Sequence, residues 1–156
     1  MDGFHMRQSK LSALGIAAAK GAPHTFEAAA FGAFLAQIKS ADGPVSGPSY
    51  SRRIEDVIDD AFIVGPQSSI IVVEGNYLLL DERPWIAVRQ QFEETVFIGL
   101  NRDVARQHLL KRRMAEGLFT MESTLRHVDE VDLANYDLVQ RSRWLADIEI
   151  ELDENA

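Results

Sequence analysis

The feature that most constrains the fold is a short aliphatic run near the middle of the chain. Residues 69–75 read Ser-Ile-Ile-Val-Val-Glu-Gly, so four aliphatic side chains in succession precede a carboxylate. Such a run buries both faces of a strand, which is typical of a central strand in a parallel sheet covered by helices. Residues 95–100 form a second apolar strand, residues 148–152 an alternating one, and residues 62–64 a short further candidate.

Helical periodicity separates these candidate strands. The predicted helices cover residues 26–40, 81–92, 102–116, 121–130 and 133–145. Thr25 and Asn101 are candidate N-caps of the first and third helix, and the Gly- and Pro-rich residues 42–51 predict a turn-rich loop. Because strands alternate with helices, we expect one α/β domain over residues 1–156, with a parallel sheet and helices on both faces.

Composition narrows the class of partner. Sixteen basic residues face 24 acidic ones, and the net charge of −8 disfavours nucleic-acid binding, which depends on clustered Lys and Arg. No apolar run approaches the ~20 residues of a membrane span, and the N-terminal residues do not have the pattern of a signal peptide. The chain has no cysteine. We therefore expect a cytoplasmic protein that binds a small molecule, with neither nucleic acid nor membrane as partner.

Two carboxylates stand where ligands bind in parallel sheets, at the carboxyl ends of strands. Glu74 follows the aliphatic run, and Gly75 permits a sharp exit beside a ligand, so Glu74 could orient Mg²⁺ directly or through water. The alternative is a strand-end residue that merely leaves the core. Asp2 could act as a general base for a hydroxyl group. Its alternative is a frayed terminus.

Several basic residues are candidates for binding phosphate, and each of them could instead be simply exposed to solvent. Arg52 and Arg53 could clamp a phosphate or simply be solvated. A helix over residues 102–116 would present basic side chains on roughly one face, and these could stabilise a transferring phosphoryl group or form a solvated surface. They are Arg102, Arg106 and Arg113, with Arg112 nearby. The four histidines lack metal-ligand spacing, so we expect no metal site built from side chains alone.

Four short motifs together resemble one family. Asp-Gly-Phe-His occupies residues 2–5, Lys-Gly-Ala-Pro-His-Thr-Phe-Glu residues 20–27, Pro-Ser-Tyr-Ser-Arg residues 48–52, and Val-Val-Glu-Gly-Asn-Tyr residues 72–77. This order resembles the P-loop kinases that group uridine kinase, phosphoribulokinase and pantothenate kinase, above all the bacterial branch of sugar and nucleoside kinase-like proteins. The resemblance implies a three-layer P-loop fold and transfer of the γ-phosphoryl group of ATP to a hydroxyl of pantothenate, a nucleoside or a sugar.

The resemblance also implies roles for single residues on the acceptor side. Asp2 matches the catalytic carboxylate, and His5 lies beside it on the substrate side. Tyr50 and Arg52 match the segment that walls the acceptor site. Glu74 matches the acidic residue that holds Mg²⁺, in some cases through water.

On the nucleotide side, the resemblance implies a lid and an adenine contact. Arg112, Arg113 and the stretch through Gly117 match the lid that closes over ATP, and Arg112 would offset charge in the transition state. Asn135 matches a segment that lies toward the adenine. The implied cofactors are ATP and Mg²⁺.

The chain departs from the family pattern in one respect. Family members place a strand, a G-x-x-x-x-G-K-[ST] loop and a helix before the Asp-Gly-Phe-His motif, and this sequence contains no Gly-Lys dipeptide. We consider an N-terminally truncated kinase, which we favour, a non-catalytic binding protein, and an assembly protein whose exposed sheet edge is covered by a partner or by a second copy. Without that unit, residues 69–75 should expose apolar surface.

Overall fold

The computed structural model describes residues 1–116 and 120–152, without the Glu116 side chain, and has the predicted α/β character. The chain divides into two units, Met1–Glu93 and Glu94–Ala156, called unit 1 and unit 2 below. This division does not test the expectation of one domain, which stays a prediction. No helix among the described residues is long and apolar enough to cross a membrane.

Unit 1 combines helices with an antiparallel hairpin. Its helices are α1 (Gln8–Ala13), α2 (Ala28–Ser40) and α3 (Trp85–Arg89), its strands are β1 (Val45–Ser51) and β2 (Asp56–Val64), and its 3₁₀ turns are Asp2–Phe4, Ala17–Ala19 and Pro23–Thr25. The core contains a ring cluster in which Phe26 lies 5.6 Å from Tyr77 and 6.0 Å from Trp85. All three rings are buried, as are Leu11 and Val88.

The prediction of a turn-rich loop over residues 42–51 is wrong for residues 45–51. Residues 45–51 form β1, which pairs with β2 and has a register shift between Gly47 and Ser49. Pro48 lies at this shift, where its missing N–H removes no regular ladder bond. A Cβ atom on Gly47 would overlap the rings of Phe34 and Phe62, so this glycine serves close packing rather than a turn.

The helix predicted over residues 26–40 is confirmed, but it begins at Ala28, with Glu27 at the N-cap position. Thr25 is not its cap. The Thr25 side chain is buried, accepts a hydrogen bond from the Gly21 N–H at 3.0 Å and donates one to the Ala22 carbonyl at 2.8 Å. Thr25 therefore orders the Gly-Ala-Pro turn. The helix predicted over residues 81–92 shortens to α3.

The aliphatic segment at residues 69–75 is not a strand in this structure. Ile70 is 82% and Val72 89% exposed, and the segment lies outside any strand of the described residues. A strand needs neighbours that satisfy its backbone hydrogen-bonding groups, and the described parts of the chain supply none here. This exposure of apolar side chains agrees with the expectation for residues 69–75 without the strand–loop–helix unit.

Unit 2 contains the parallel pairing that the alternation of strands and helices predicts. Strands β3 (Val96–Gly99) and β4 (Ile148–Glu151) run parallel, with Val96 opposite Ile148 and Ile98 opposite Ile150. Helix α4 (Arg102–Glu116) has the predicted bounds. Asn101 accepts a hydrogen bond from the Asp103 N–H at 2.9 Å, which confirms its capping role.

One helical run replaces the two helices predicted over residues 121–130 and 133–145. It comprises α5 (Met121–His127), a π-helical turn (Val128–Asp132) and α6 (Leu133–Gln140), and a separate 3₁₀ turn follows (Arg143–Leu145). The π turn adds a residue to the helical repeat and so redirects the side chains that it carries. Its acidic side chains contact arginines of α4, as described below.

Candidate functional site

The Asp-Gly-Phe-His and Gly-Ala-Pro-His-Thr-Phe motifs are joined through their backbones. The Met6 N–H donates to the Thr25 carbonyl at 2.8 Å, and the Glu27 N–H donates to the Phe4 carbonyl at 2.7 Å. His5 and Phe26 form an isolated antiparallel bridge, and their rings lie 4.0 Å apart. Two segments about twenty residues apart in the sequence therefore form one local structure around His5.

The Pro-Ser-Tyr motif packs against the same place. Tyr50 belongs to β1, and its ring lies 4.7 Å from the His5 ring. A Cβ atom on Gly3 would overlap the Pro48 carbonyl, so only glycine permits this approach of the strand to the Asp2–Phe4 turn.

The Glu-Gly motif is the fourth motif that lies next to the first residues of the chain. The Met1 amine donates to the Glu74 carbonyl at 2.8 Å and lies 3.5 Å from Oε1 of the Glu74 carboxylate. A Cβ atom on Gly75 would overlap the Met1 side chain. All four motifs that carry the family resemblance thus meet around residues 1–5. We call Asp2, His5, Lys20, Tyr50 and Glu74 the unit 1 cluster.

His5 has a defined hydrogen-bonding state within this cluster. Its Nδ1 lies 2.8 Å from the Asp2 carbonyl oxygen, so Nδ1 carries the proton and donates, and Nε2 of the neutral ring is an acceptor. Burial lowers the pKa of His5 below 6.5, with a smaller contribution from the positive charge of Lys20, although contacts with Asp2 act in the opposite direction. The ring is therefore neutral near pH 7.

We expect His5 to make stability depend on pH. Its pKa is lower in the folded protein than in the unfolded chain, so its contribution is complete above pH 6.5 and is lost as pH falls toward the folded pKa. His5→Gln should therefore flatten the change in the free energy of unfolding between about pH 7.5 and about pH 5.5, above the range where ordinary carboxylates titrate. Denaturant titration at several pH values measures this. His24→Gln, at an exposed position, should keep the wild-type slope; an unaltered slope in His5→Gln would contradict the assignment.

Lys20 belongs to this cluster although the sequence analysis assigned it no role. Its Nζ donates to the Glu55 carbonyl at 2.6 Å and to Gln8 Oε1 at 3.3 Å, and it lies 5.3 Å from the centre of the Tyr50 ring. The signal that could have indicated it is its place at the start of the Lys-Gly-Ala-Pro motif.

Hydrogen bonds from Arg7, two residues after His5, hold the hairpin that contains Tyr50 in place. Arg7 donates to the Val57 carbonyl at 3.0 Å and to the Asp59 carboxylate at 2.6 Å. Arg52 lies on the exposed turn between β1 and β2. Its predicted role in walling the acceptor site stays a prediction, as do the roles of Asp2, His5 and Tyr50.

Arginines of α4 bind aspartates of the following helical run. All three pairs use two guanidinium nitrogens and both carboxylate oxygens. They are Arg102–Asp137 at 2.9 and 3.1 Å, Arg106–Asp129 at 2.6 and 2.8 Å, and Arg113–Asp132 at 2.8 and 3.2 Å. The hydrogen bonds from Arg106 and Arg102 lower the pKa values of Asp129 and Asp137. These arginines therefore tie helices together, which neither alternative in the sequence analysis foresaw.

The Arg113–Asp132 pair should stabilise unit 2. Its side chains are only 18% and 16% exposed, and two hydrogen bonds between charged groups in such a setting contribute about 1.5–3 kcal/mol. A double-mutant cycle with Arg113→Met and Asp132→Asn, followed by denaturant unfolding, measures the coupling. The Arg126–Glu122 pair is a matched control because its side chains are 63% and 85% exposed, and about 0.3–0.5 kcal/mol is expected. Equal coupling in both pairs would contradict a structural role for Arg113.

The predicted nucleotide-side residues lie in unit 2. Arg112 is exposed and has no hydrogen bond or ion pair with any residue that the structure describes, so its guanidinium can donate hydrogen bonds to an anion. Arg113 is engaged by Asp132, and Asn135 is half-buried on α6. Gly117 lies outside the described residues. The lid and adenine roles of Arg112, Arg113 and Asn135 remain predictions.

The residues present fit magnesium bound together with a nucleotide. No group of three His, Cys, Asp or Glu side chains that could hold a metal occurs within residues 1–116 and 120–152. Mg²⁺ commonly binds through one or two carboxylates together with substrate phosphates and water. The Glu74 carboxylate, 84% exposed, is open to such a ligand. Bound there, the ion would neutralise phosphate charge.

Comparison with known proteins identifies kinase relatives, although no family model matches the chain. The "ATP-dependent kinase-like protein notR'" of Aspergillus versicolor is 29% identical over 152 residues, which cover 92% of this chain and 88% of the relative. The "Uncharacterized protein YggC" of Escherichia coli is 32% identical, covering 99% and 63%. A "Putative uridine kinase" of Schizosaccharomyces pombe is 29% identical, covering 97% and 67%. The chain spans 36% of a Latilactobacillus sakei pantothenate kinase, at 33% identity.

Two solved structures that resemble this chain are also described as kinases. The "putative fructose transport system kinase from Silicibacter sp. TM1040" is 28% identical and superimposes with a TM-score of 0.89 over 96% of this chain and 71% of its own length. YFH7 from Saccharomyces cerevisiae, "a putative P-loop containing kinase with a circular permutation", has a TM-score of 0.80 at 19% identity and supports the fold alone.

Proposed function

Because the chain belongs to the P-loop kinases related to uridine kinase and pantothenate kinase, we propose that it takes part in transferring the γ-phosphoryl group of ATP to a hydroxyl group of a small metabolite. The observation that carries the proposal is the convergence of four motifs on the unit 1 cluster. Pantothenate, a nucleoside or a sugar is the proposed acceptor class.

The acceptor hydroxyl is proposed to bind at Asp2. The Asp2 carboxylate is exposed, so it can accept the hydroxyl proton or orient the oxygen toward the phosphorus atom. Neutral His5 offers Nε2 as an acceptor for a second hydroxyl. Tyr50 and Arg52 wall the acceptor, in agreement with the position of the Tyr50 ring beside His5.

Phosphoryl transfer depends mainly on positioning and on neutralising charge. Glu74 would hold Mg²⁺ close to the phosphates, and the exposed Arg112 would offset charge that develops in the transition state. Arg113 and Asn135 would contact the nucleotide. The glycine-rich loop whose backbone N–H groups cradle the phosphates is not among these 156 residues. We propose that a preceding strand–loop–helix unit supplies it and gives residues 69–75 a neighbouring strand.

The test compares two proteins in one phosphoryl-transfer assay with Mg-ATP and a panel of pantothenate, nucleosides and sugars. One is the 156-residue chain, and the other is the same chain preceded by whatever the in-frame DNA upstream of Met1 encodes. We expect transfer only by the longer protein. A stop codon close upstream, with no Gly-Lys-Ser/Thr sequence between it and Met1, would contradict the truncation; absence of transfer to every acceptor by a longer protein that contains the loop would contradict the kinase.

A second candidate is a non-catalytic binding or assembly protein derived from such a kinase. The exposed Ile70 and Val72 favour it, because a second copy or another partner could cover them. It predicts that the chain binds a polar small molecule, gains no thermal stability from Mg-ATP, and forms a homodimer in light scattering. Tight Mg-ATP binding by the 156 residues would exclude it. In either case we propose a cytoplasmic protein with neither nucleic acid nor membrane as partner.

A further inference from the structure

The fold orients Lys20 but does not neutralise it. Among the described residues, Lys20 donates to the Glu55 carbonyl and to the Gln8 amide oxygen, and both acceptors are uncharged. An ammonium group has three donors, so one N–H of Lys20 remains for a ligand. The ring of Tyr50 lies 5.3 Å from Nζ and further restricts the side chain.

Other basic side chains that unit 1 holds in place have acidic partners. Lys10 Nζ lies 2.6 Å from the Glu27 carboxylate, and Arg7 lies 2.6 Å from the Asp59 carboxylate. Lys20 forms no ion pair with any residue in the described ranges. In a chain with a net charge of −8, a fixed cation without a carboxylate partner is suited to bind an anion.

The position of Lys20 indicates which molecule would bring that anion. Tyr50 contacts both Lys20 and His5, and His5 is bonded to the Asp2 carbonyl. A metabolite whose hydroxyl lies at Asp2 would therefore extend past His5 and Tyr50 toward Lys20. The His5 ring is neutral near pH 7, whereas Lys20 is a cation that its hydrogen bonds hold in place on this side of the unit 1 cluster.

We propose that Lys20 binds an anionic group, a carboxylate or a phosphate, on the acceptor metabolite and thereby selects acidic acceptors over neutral ones. This inference rests on the proposed function, because it takes the unit 1 cluster as the acceptor site. A charge-assisted hydrogen bond on a fixed ammonium gives selectivity, since a neutral analogue leaves the cation without a counter-charge.

The experiment measures binding to the purified 156-residue chain by calorimetry, with two matched ligand pairs. Pantothenate and pantothenyl alcohol differ by a carboxylate, and fructose 6-phosphate and fructose differ by a phosphate, so the two pairs distinguish the two anions. We expect the wild-type chain to prefer the acidic member of at least one pair. Lys20→Met should weaken that acidic ligand about 10- to 100-fold and leave the neutral one unchanged.

Further variants separate charge from structure. Lys20→Arg should keep most of the preference, and Lys20→Gln, which can still donate to the Glu55 carbonyl, should lose it. Lys10→Met is the matched control because Lys10 is another ordered lysine of unit 1 but is already paired with Glu27; its preference should equal the wild type. Thermal unfolding checks that each variant is folded.

Three results would overturn the inference. The first is equal binding of the acidic and the neutral ligand by the wild type, including binding of neither. The second is equal weakening of both members of a pair by Lys20→Met, and the third is weakening of Mg-ATP binding alone, which would place Lys20 on the side of the phosphate donor.

The kinase proposal can fail separately. Lys20-dependent binding without phosphoryl transfer by the longer protein would keep this inference and contradict the kinase. The longer protein could also transfer phosphate while the ratio of kcat/KM for acidic to neutral acceptors is the same in the wild type and in Lys20→Met. That result would support the kinase and contradict the role of Lys20.

Discussion

Replacing Asp2 with Asn in the protein that includes the phosphate-binding loop is expected to lower kcat by about 10²- to 10⁴-fold, the usual contribution of a positioned general base. Asparagine keeps the size of the side chain but cannot take the hydroxyl proton. ATP affinity should stay nearly unchanged, because Asp2 is not among the proposed nucleotide contacts, which come from the glycine-rich loop and from Glu74, Arg112, Arg113 and Asn135. Steady-state kinetics with a saturating acceptor, together with equilibrium binding of ATP, measure both quantities.

The structure supplies a control for this substitution. Asp42 is an exposed carboxylate in the loop after α2, and it belongs to none of the motifs that form the unit 1 cluster. Asp42→Asn removes the same charge and should leave kcat at the wild-type value. Unchanged turnover in Asp2→Asn would remove Asp2 from the mechanism, and the neutral acceptor nitrogen of His5 would then be the next group to substitute.

The sequence predicted best those elements whose signal is local. Strands β3 and β4 were found because each contains its own apolar pattern, and α4 because Asn101 caps a clear helical repeat. The aliphatic residues 69–75 show the limit of such reasoning. Their composition favours a central strand, but a strand exists only when neighbours pair with it, and composition does not reveal whether neighbours are present.

Long-range contacts were beyond prediction for a different reason. Gly47 and Pro48 were interpreted as turn residues, whereas Gly47 makes room for the rings of Phe34 and Phe62 inside a hairpin. The arginines of α4 bind Asp129 and Asp132, which lie in the π turn after α5. Neither partner can be inferred from the sequence pattern, because the pattern does not reveal which helix packs against α4.

The motifs that carry the candidate site residues could be found from the sequence, whereas the roles of those residues stay predictions. Asp2 and His5 come from one motif, Tyr50 from a second and Glu74 from a third, and the structure brings these motifs together around residues 1–5. Lys20 was missed because a lysine in a loop is usually solvated. Its assignment needed the two neutral hydrogen-bond acceptors and the Tyr50 ring, which only the folded chain shows.

The close approach of Pro48 to the Asp-Gly-Phe-His motif makes Gly3 a sensitive position of the site. Gly3→Ala should lower the free energy of unfolding by about 1–3 kcal/mol, the cost of forcing an extra methyl group into a packed region, because the new Cβ would overlap the backbone carbonyl of Pro48. Backbone cannot rotate away as a side chain can, so β1 or the Asp2–Phe4 turn must shift. Acceptor binding should weaken as well, because Tyr50 and His5 would separate.

Gly43→Ala is the matched control, since a Cβ atom there meets nothing within 4 Å. It should change stability little, or raise it by a few tenths of a kcal/mol by restricting the unfolded chain. Denaturant unfolding of the two variants beside the wild type gives the comparison, and calorimetry with an acceptor gives the second readout. If Gly3→Ala unfolds at the same denaturant concentration as Gly43→Ala and binds acceptor equally well, the close approach of Pro48 to the Asp-Gly-Phe-His turn does not hold the site together.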